Sequence, residues 1–173
     1  LTGELIAEKL TADYGVPEDE ALLSAALAGG SFSQALDYAE QGMADKQDGA
    51  VRILQAAAET YADSIPSAAG ELSKGNTDCP VRDVLLYLLY CTQRAIVSSE
   101  GAAESGGMHA ARVPGKSGEM IEHLSRLPSE ALRKIAAALE NSIDLIDKNV
   151  YLNLTLIVLI QKIRRVLRSG EHT

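Results

Sequence analysis

Leu132, Ile135, Leu139, Ile143 and Ile146 recur at three- and four-residue intervals between Pro128 and Asn149, with no glycine or proline among them. That spacing is the period of one helix face, sustained over about four turns. So long an apolar stripe must be buried against another element. The next segment, Val150 to Leu167, is apolar nearly all round from Leu152 to Ile160, and Ile160, Ile163 and Leu167 carry its stripe into a basic end. Its β-branched run, Thr155 to Ile160, also suits a strand. The continuing stripe favours a helix buried on most sides, in the middle of a bundle or at a subunit interface. Asn153, Thr155 and Gln161 interrupt it, and it is too short to cross a membrane.

The rest of the composition agrees with helices. The chain has 173 residues, 46% of them hydrophobic, with six Tyr, one Phe and no Trp. Its core must therefore be built from Leu, Ile, Val and Ala, which suits close helix packing. An all-α fold is expected. Further helices are read at 4–14, with Leu5, Ile6 and Leu10 on one stripe, and at 17–27, 32–43, 50–64 and 81–97. A short one runs to Lys74 after a break at Ile65-Pro66, and another covers 118–127. Gly42 to Gly49 reads as a soft domain boundary, Gly75 to Pro80 as a loop, and glycine-rich Ser98 to Gly118 as the longest irregular stretch. The domains expected are 1–46, a small three-helix unit, and 47–173, a helical bundle.

Charge is distributed unevenly. Residues 1–100 hold 6 basic and 16 acidic side chains, and residues 101–173 hold 10 basic and 8 acidic. The acidic portion argues against broad nucleic-acid contact there. Lys162, Arg164, Arg165 and Arg168 form the one cationic cluster. They suit the negative end of a helix dipole, or alternatively a contact with DNA or a partner.

No catalytic, cofactor-binding or metal-ligating set emerges. Gly115-Lys116-Ser117 resembles the end of a phosphate-binding loop, but Ala110 stands where the pattern needs glycine and no strand precedes it. His109, His123 and His172 lack metal spacing. Cys79 and Cys91 make neither a disulfide framework nor a metal site, and Cys91 reads as a small core residue. With no targeting segment in view, a cytoplasmic location is expected. The chain opens on Leu1 rather than Met and is expected to be part of a longer protein.

Two local patterns together resemble a known family. In Leu27-Ala28-Gly29-Gly30-Ser31-Phe32-Ser33-Gln34-Ala35-Leu36, either glycine can end one helix in the left-handed region, and Ser31 can cap the next. This joint resembles the helical lid of AAA+ ATPases of the clamp-loader branch. In ATP-hydrolysing loader subunits the motif runs Gly-Ser-x-Arg-Asp-Ala-Leu, with the arginine sensing nucleotide. Here Ser33 occupies the arginine position and carries no fixed charge. The second pattern lies about 120 residues on. Asn149-Val150-Tyr151-Leu152-Asn153-Leu154-Thr155-Leu156 is similar to the turn and Leu-rich final helix of clamp-loader collar domains. Asn149 is expected to cap that helix, and Leu152, Leu156, Leu159 and Ile163 to pack on the preceding one.

The resemblance implies a lid (1–46) followed by a collar (47–173) of a non-hydrolysing, δ′-type subunit of the bacterial DNA polymerase III clamp loader. It implies no enzyme activity in this stretch and no cofactor. Its partners would be γ/τ-type and δ-type loader subunits, with DNA met only through the assembled loader and no membrane. The nucleotide-binding domain of the family would precede Leu1. Asn153, Arg164, Arg165 and Arg168 are the candidate subunit-interface residues. Two alternatives stay open: a fragment of an ATP-hydrolysing γ/τ-type subunit, against which Ser33 argues, and an unrelated helical protein-interaction bundle.

Overall fold

The structure is a computed structural model that describes residues 2–75, 80–104 and 115–170. Among the described residues the regular elements are all α-helices: α1 Gly3–Tyr14, α2 Glu18–Leu27, α3 Phe32–Gln41, α4 Ala44–Ala58, α5 Ser64–Ser73, α6 Val81–Glu104, α7 Gly115–Leu124, α8 Ser129–Asp147 and α9 Leu152–Gly170. The fold is all-α. None of the described helices is long and apolar enough to cross a membrane. The chain divides into two compact units, Leu1–Lys46 and Gln47–Thr173.

In the first unit, α1, α2 and α3 pack on one another. Ile6, Leu10, Ala21, Leu23, Ala25, Ala35 and Tyr38 make its core. Small alanines on facing helices let the backbones approach closely, which offsets the scarcity of large side chains. Leu5, read as part of the α1 stripe, is 41% exposed, because the buried face runs through Ile6, Ala7 and Leu10 instead. Gly15 ends α1 in the left-handed region at φ 68°.

In the second unit, α6 and α8 run antiparallel. The Arg82 guanidinium at the start of α6 donates to both carboxylate oxygens of Asp147 at the end of α8, at 2.7 and 3.3 Å. At the other end, Glu100 accepts from the Ser129 hydroxyl at 3.0 Å and pairs with Arg133. These exposed pairs set register and contribute little energy. The stabilisation comes from Leu85, Leu88, Leu132, Ile135, Leu139, Leu156, Leu159, Ile160 and Ile163, each fully buried or nearly so. Truncating one such Leu or Ile to Ala costs about 2–5 kcal/mol. The helix α9 lies against both α5 and α8, which explains its breadth of apolar surface.

Several boundaries differ from the sequence reading. The helix α4 already starts at Ala44 and runs through Gly49, which was expected to lie in a polar boundary. A side chain there would collide with Val84: a Cβ on Gly49 would lie 2.8 Å from Val84 Cγ1. Glycine is thus a packing residue, not a breaker. The break expected at Ile65-Pro66 falls earlier, between α4 and α5, and Pro66 occupies the first turn of α5, where its missing N–H would have no helical partner. The stretch Ser98 to Gly118 is helical at both ends, through Glu104 in α6 and from Gly115 in α7. Its centre, 105–114, with His109, lies outside the described residues, as do Cys79 and His172.

Candidate functional site

The glycine–serine joint takes the form its residues dictate. Gly29 and Gly30 both have positive φ, 57° and 96°, which an L-residue adopts at a cost. Ser31 then turns extended, and its hydroxyl accepts from the Gln34 N–H at 3.4 Å, capping α3. Phe32 leans on Tyr14 at the end of α1, with ring centroids 6.0 Å apart. Ser33 is exposed in the first turn of α3.

Residues 1–46 contain no arginine, and their only lysines are Lys9 and Lys46. The Lys46 ammonium is turned inward. It donates to the Gly42 carbonyl at 3.2 Å, at the end of α3, and lies 5.0 Å from the centre of the Tyr38 ring. Both contacts complement a cation: a helix C-terminus and an aromatic face.

The turn between α8 and α9 is built differently from expectation. Asn149 does not cap α9. It adopts the left-handed region at φ 57° and closes α8. Its N–H donates to Ile146 O at 2.9 Å, and the Val150 N–H donates to Leu145 O at 3.0 Å. These two bonds form a Schellman motif, and asparagine tolerates its left-handed position better than most residues. The chain then enters α9 through Tyr151, whose carbonyl accepts from the Thr155 N–H.

The four candidate interface residues part company here. Asn153 is half-buried, and its Oδ1 is enclosed without a hydrogen-bond partner. Arg164 is held inside the bundle. Its Nη2 donates to Ala56 O at 2.8 Å and to Ser64 Oγ at 2.7 Å, and its Nε donates to Ala57 O at 3.3 Å. It thereby caps the C-terminus of α4 and binds the start of α5. Arg165 and Arg168 are exposed, as is Lys162, and among the described residues none of the three forms an ion pair.

Two features were not legible in the sequence. One is a buried polar chain joining α4, α6 and α7. The Tyr87 hydroxyl and Ser117 Oγ lie 2.8 Å apart, and Gln47 Nε2 donates to Ser117 Oγ at 3.1 Å. Tyr87 is fully buried, and burial raises its pKa well above the ordinary 10.0. Cys91, also fully buried, has its thiol pushed by burial up to about 12. Such a thiol is inert at neutral pH. The chain also accounts for Gly115-Lys116-Ser117: the serine hydroxyl is engaged inside the bundle. The other feature is a cleft of about 460 Å³ beside it, with Val51, Leu54, Ala58 and Met120 among an apolar lining and Gln47, Lys116 and His123 among its polar groups. His123 is exposed, and no group of three potential metal ligands occurs among the described residues.

In comparisons with protein-family models, with curated proteins and with solved structures, nothing matches this chain.

Proposed function

We propose that this chain is the lid and collar of a δ′-type subunit of a bacterial sliding-clamp loader, acting in DNA replication as an assembly part without catalysis of its own. The observation that carries the reading is Ser33. It stands exposed at the first turn of α3, just after a glycine–serine joint of the clamp-loader type, where an ATP-hydrolysing subunit presents an arginine. The whole unit around it lacks arginine, and Lys46 is turned inward. A γ-phosphate near this lid would meet no guanidinium from it. Nucleotide therefore gains no guanidinium contact from this lid by which to drive a conformational change here.

The second unit supports the collar part of the proposal. Its last two helices form an antiparallel hairpin turned at Asn149, and Leu154 and Val158 on one side of α9 are exposed among the described residues. In this reading the γ/τ-type and δ-type subunits are the neighbours, and DNA is reached only through the assembled ring. Arg165 and Arg168 remain suited to an intersubunit contact. Arg164 does not, because its donors are committed to Ala56, Ala57 and Ser64.

The test is reconstitution with purified γ/τ-type ATPase and δ subunits, followed by size exclusion with light scattering. Co-elution that is lost on R165E/R168E supports the proposal, provided the variant retains its helical circular dichroism. A folded wild-type chain that does not co-elute with either subunit overturns it.

A further inference from the structure

One face of α9 carries an exposed pattern that no described residue covers. Tyr151 at the entry to the helix is 73% exposed, Leu154 55% and Val158 40%. Lys162 and Arg165 continue the same line, exposed and without ion pairs among the described residues. The spacing is symmetric: Tyr151 and Leu154 lie seven and four residues before Val158, and Lys162 and Arg165 four and seven after it. Five side chains at these intervals form one seam on a helix.

A seam that is apolar at one end, cationic at the other and symmetric in spacing is complementary to itself when reversed. In an antiparallel crossing centred on Val158, the two valines meet. Each Leu154 rests on the methylene stem of the opposite Lys162, which covers apolar surface while its ammonium stays in water. Each Tyr151 ring meets the opposite Arg165 guanidinium, an aromatic–cation contact. The ends agree as well. The tip of the α8–α9 hairpin bears Asp144 and Asp147 next to the negative end of α8; each already pairs within the chain, with Lys148 and Arg82, but both are about half exposed and have room for a further cation. Arg165 and Arg168 of the opposite copy come level with that tip. A parallel crossing would instead set Arg165 against Arg165.

We propose that this face binds a second copy of the chain, giving a two-fold symmetric dimer through antiparallel α9 helices. A symmetric interface requires one patch that is complementary to itself, which is the property of this seam. The dimer is a weak one, because five side chains from each copy, only three of them apolar, make a small interface. The inference rests on exposure and charge in α9 and is independent of the clamp-loader reading, since the chain is measured alone.

The experiment is sedimentation equilibrium of the 173-residue chain under reducing conditions, from micromolar to about millimolar concentration. The expected mass rises from 18.4 kDa towards twice that value. L154E/V158E, with wild-type circular dichroism and unfolding, is expected to stay monomeric. Two further variants test the orientation. R165E/R168E alone and D144K alone each oppose like charges in an antiparallel dimer and, with wild-type circular dichroism and unfolding, are expected to associate at least tenfold more weakly; Asp147 is left intact because it pairs with Arg82. Mixed in equal amounts, they restore both contacts and are expected to pair as heterodimers. A wild-type chain that stays monomeric throughout overturns the proposal, as does undiminished dimerisation of L154E/V158E. Failure of the mixture to associate, with the wild type dimeric, overturns the antiparallel arrangement.

Discussion

Replacing Arg164 tests whether α9 holds the corner between α4 and α5 by hydrogen bonds or merely by contact. The substitution to examine is Arg164→Met, which keeps most of the aliphatic stem and removes every donor. Three bonds are lost, to Ala56 O, Ala57 O and Ser64 Oγ. They are not equivalent. The Ala56 carbonyl retains the Ser64 hydroxyl at 3.3 Å, whereas the Ala57 carbonyl loses this donor outright. A hydrogen bond from a charged donor contributes about 1.5–3 kcal/mol, and orphaning one acceptor costs about 1–3 kcal/mol when it is buried. The site is half-buried, so water recovers part of this. A net loss of about 2 kcal/mol follows, or a fall in melting temperature of about 6–10 °C for a unit of this size. Urea unfolding followed by circular dichroism measures it, with exposed Arg165→Met as the control. Arg164→Lys restores charge beside the end of α4 but not the two-armed geometry, and is expected to recover about half. Combined with Ser64→Ala, Arg164→Met should be non-additive, since the two side chains share the Ala56 carbonyl. If Arg164→Met and Arg165→Met unfold within about 0.5 kcal/mol of each other, the corner is held by packing and this account of Arg164 is wrong.

Four other outcomes follow from the packing and the buried groups. Gly49→Ala should destabilise despite its better helix propensity, because its methyl meets the stiff, branched Val84 side chain; pairing it with Val84→Ala should relieve the clash in thermal unfolding. Gly70→Ala in α5, where a Cβ meets nothing within 4 Å, should instead raise stability by about 0.5–1 kcal/mol in the same assay. Ser117→Ala should cost about 1–2 kcal/mol by removing the 2.8 Å hydrogen bond to the buried Tyr87 hydroxyl, and adding Tyr87→Phe should return part of that loss, as read from urea midpoints. The raised pKa values of Cys91 and Tyr87 mean that the unfolded chain releases these protons first, so their stabilisation is fully present well below pH 9.0 and is lost as pH rises through 9.0 towards about 12; a Cys91→Ala variant should show a shallower decline between about pH 9 and 10.5.

The period of the apolar residues made the helices readable, because burial of one face is what forms them. It served best where the stripe was long, as in α8. It failed at residues whose role is set by something distant. Gly49 resembles a helix breaker until Val84 is seen packed against it. Pro66 resembles one until its place in the first turn of α5 is known. Asn149 is a plausible cap for the helix after it, yet it closes the helix before it, since its left-handed conformation satisfies carbonyls of α8. Arg164 and Arg165 are neighbours of one chemistry, and sequence alone does not tell them apart. Only the helix phase does, turning one towards α4 and α5 and leaving the other in solvent. The chain from Gln47 to Ser117 to Tyr87 spans 70 residues in its longer bond, and no local pattern announces it.

The clasp by Arg164 also has a consequence for the order of events during synthesis. The carbonyls it caps belong to Ala56 and Ala57, made more than a hundred residues earlier. The first unit, by contrast, draws on contacts within Leu1–Lys46 and has its core residues as soon as these are out. At the usual translation rate of about 5–20 residues per second, the end of α4 waits on the order of five to twenty seconds uncapped after Ala57 has been made. For most of that interval the apolar side chains of α5 that α9 will cover lack their partner, whereas α8 is completed only 17 residues before Arg164. The last helix is thus the closing event for its unit, and a ribosome stalled before residue 164 would present a chain half assembled and half open.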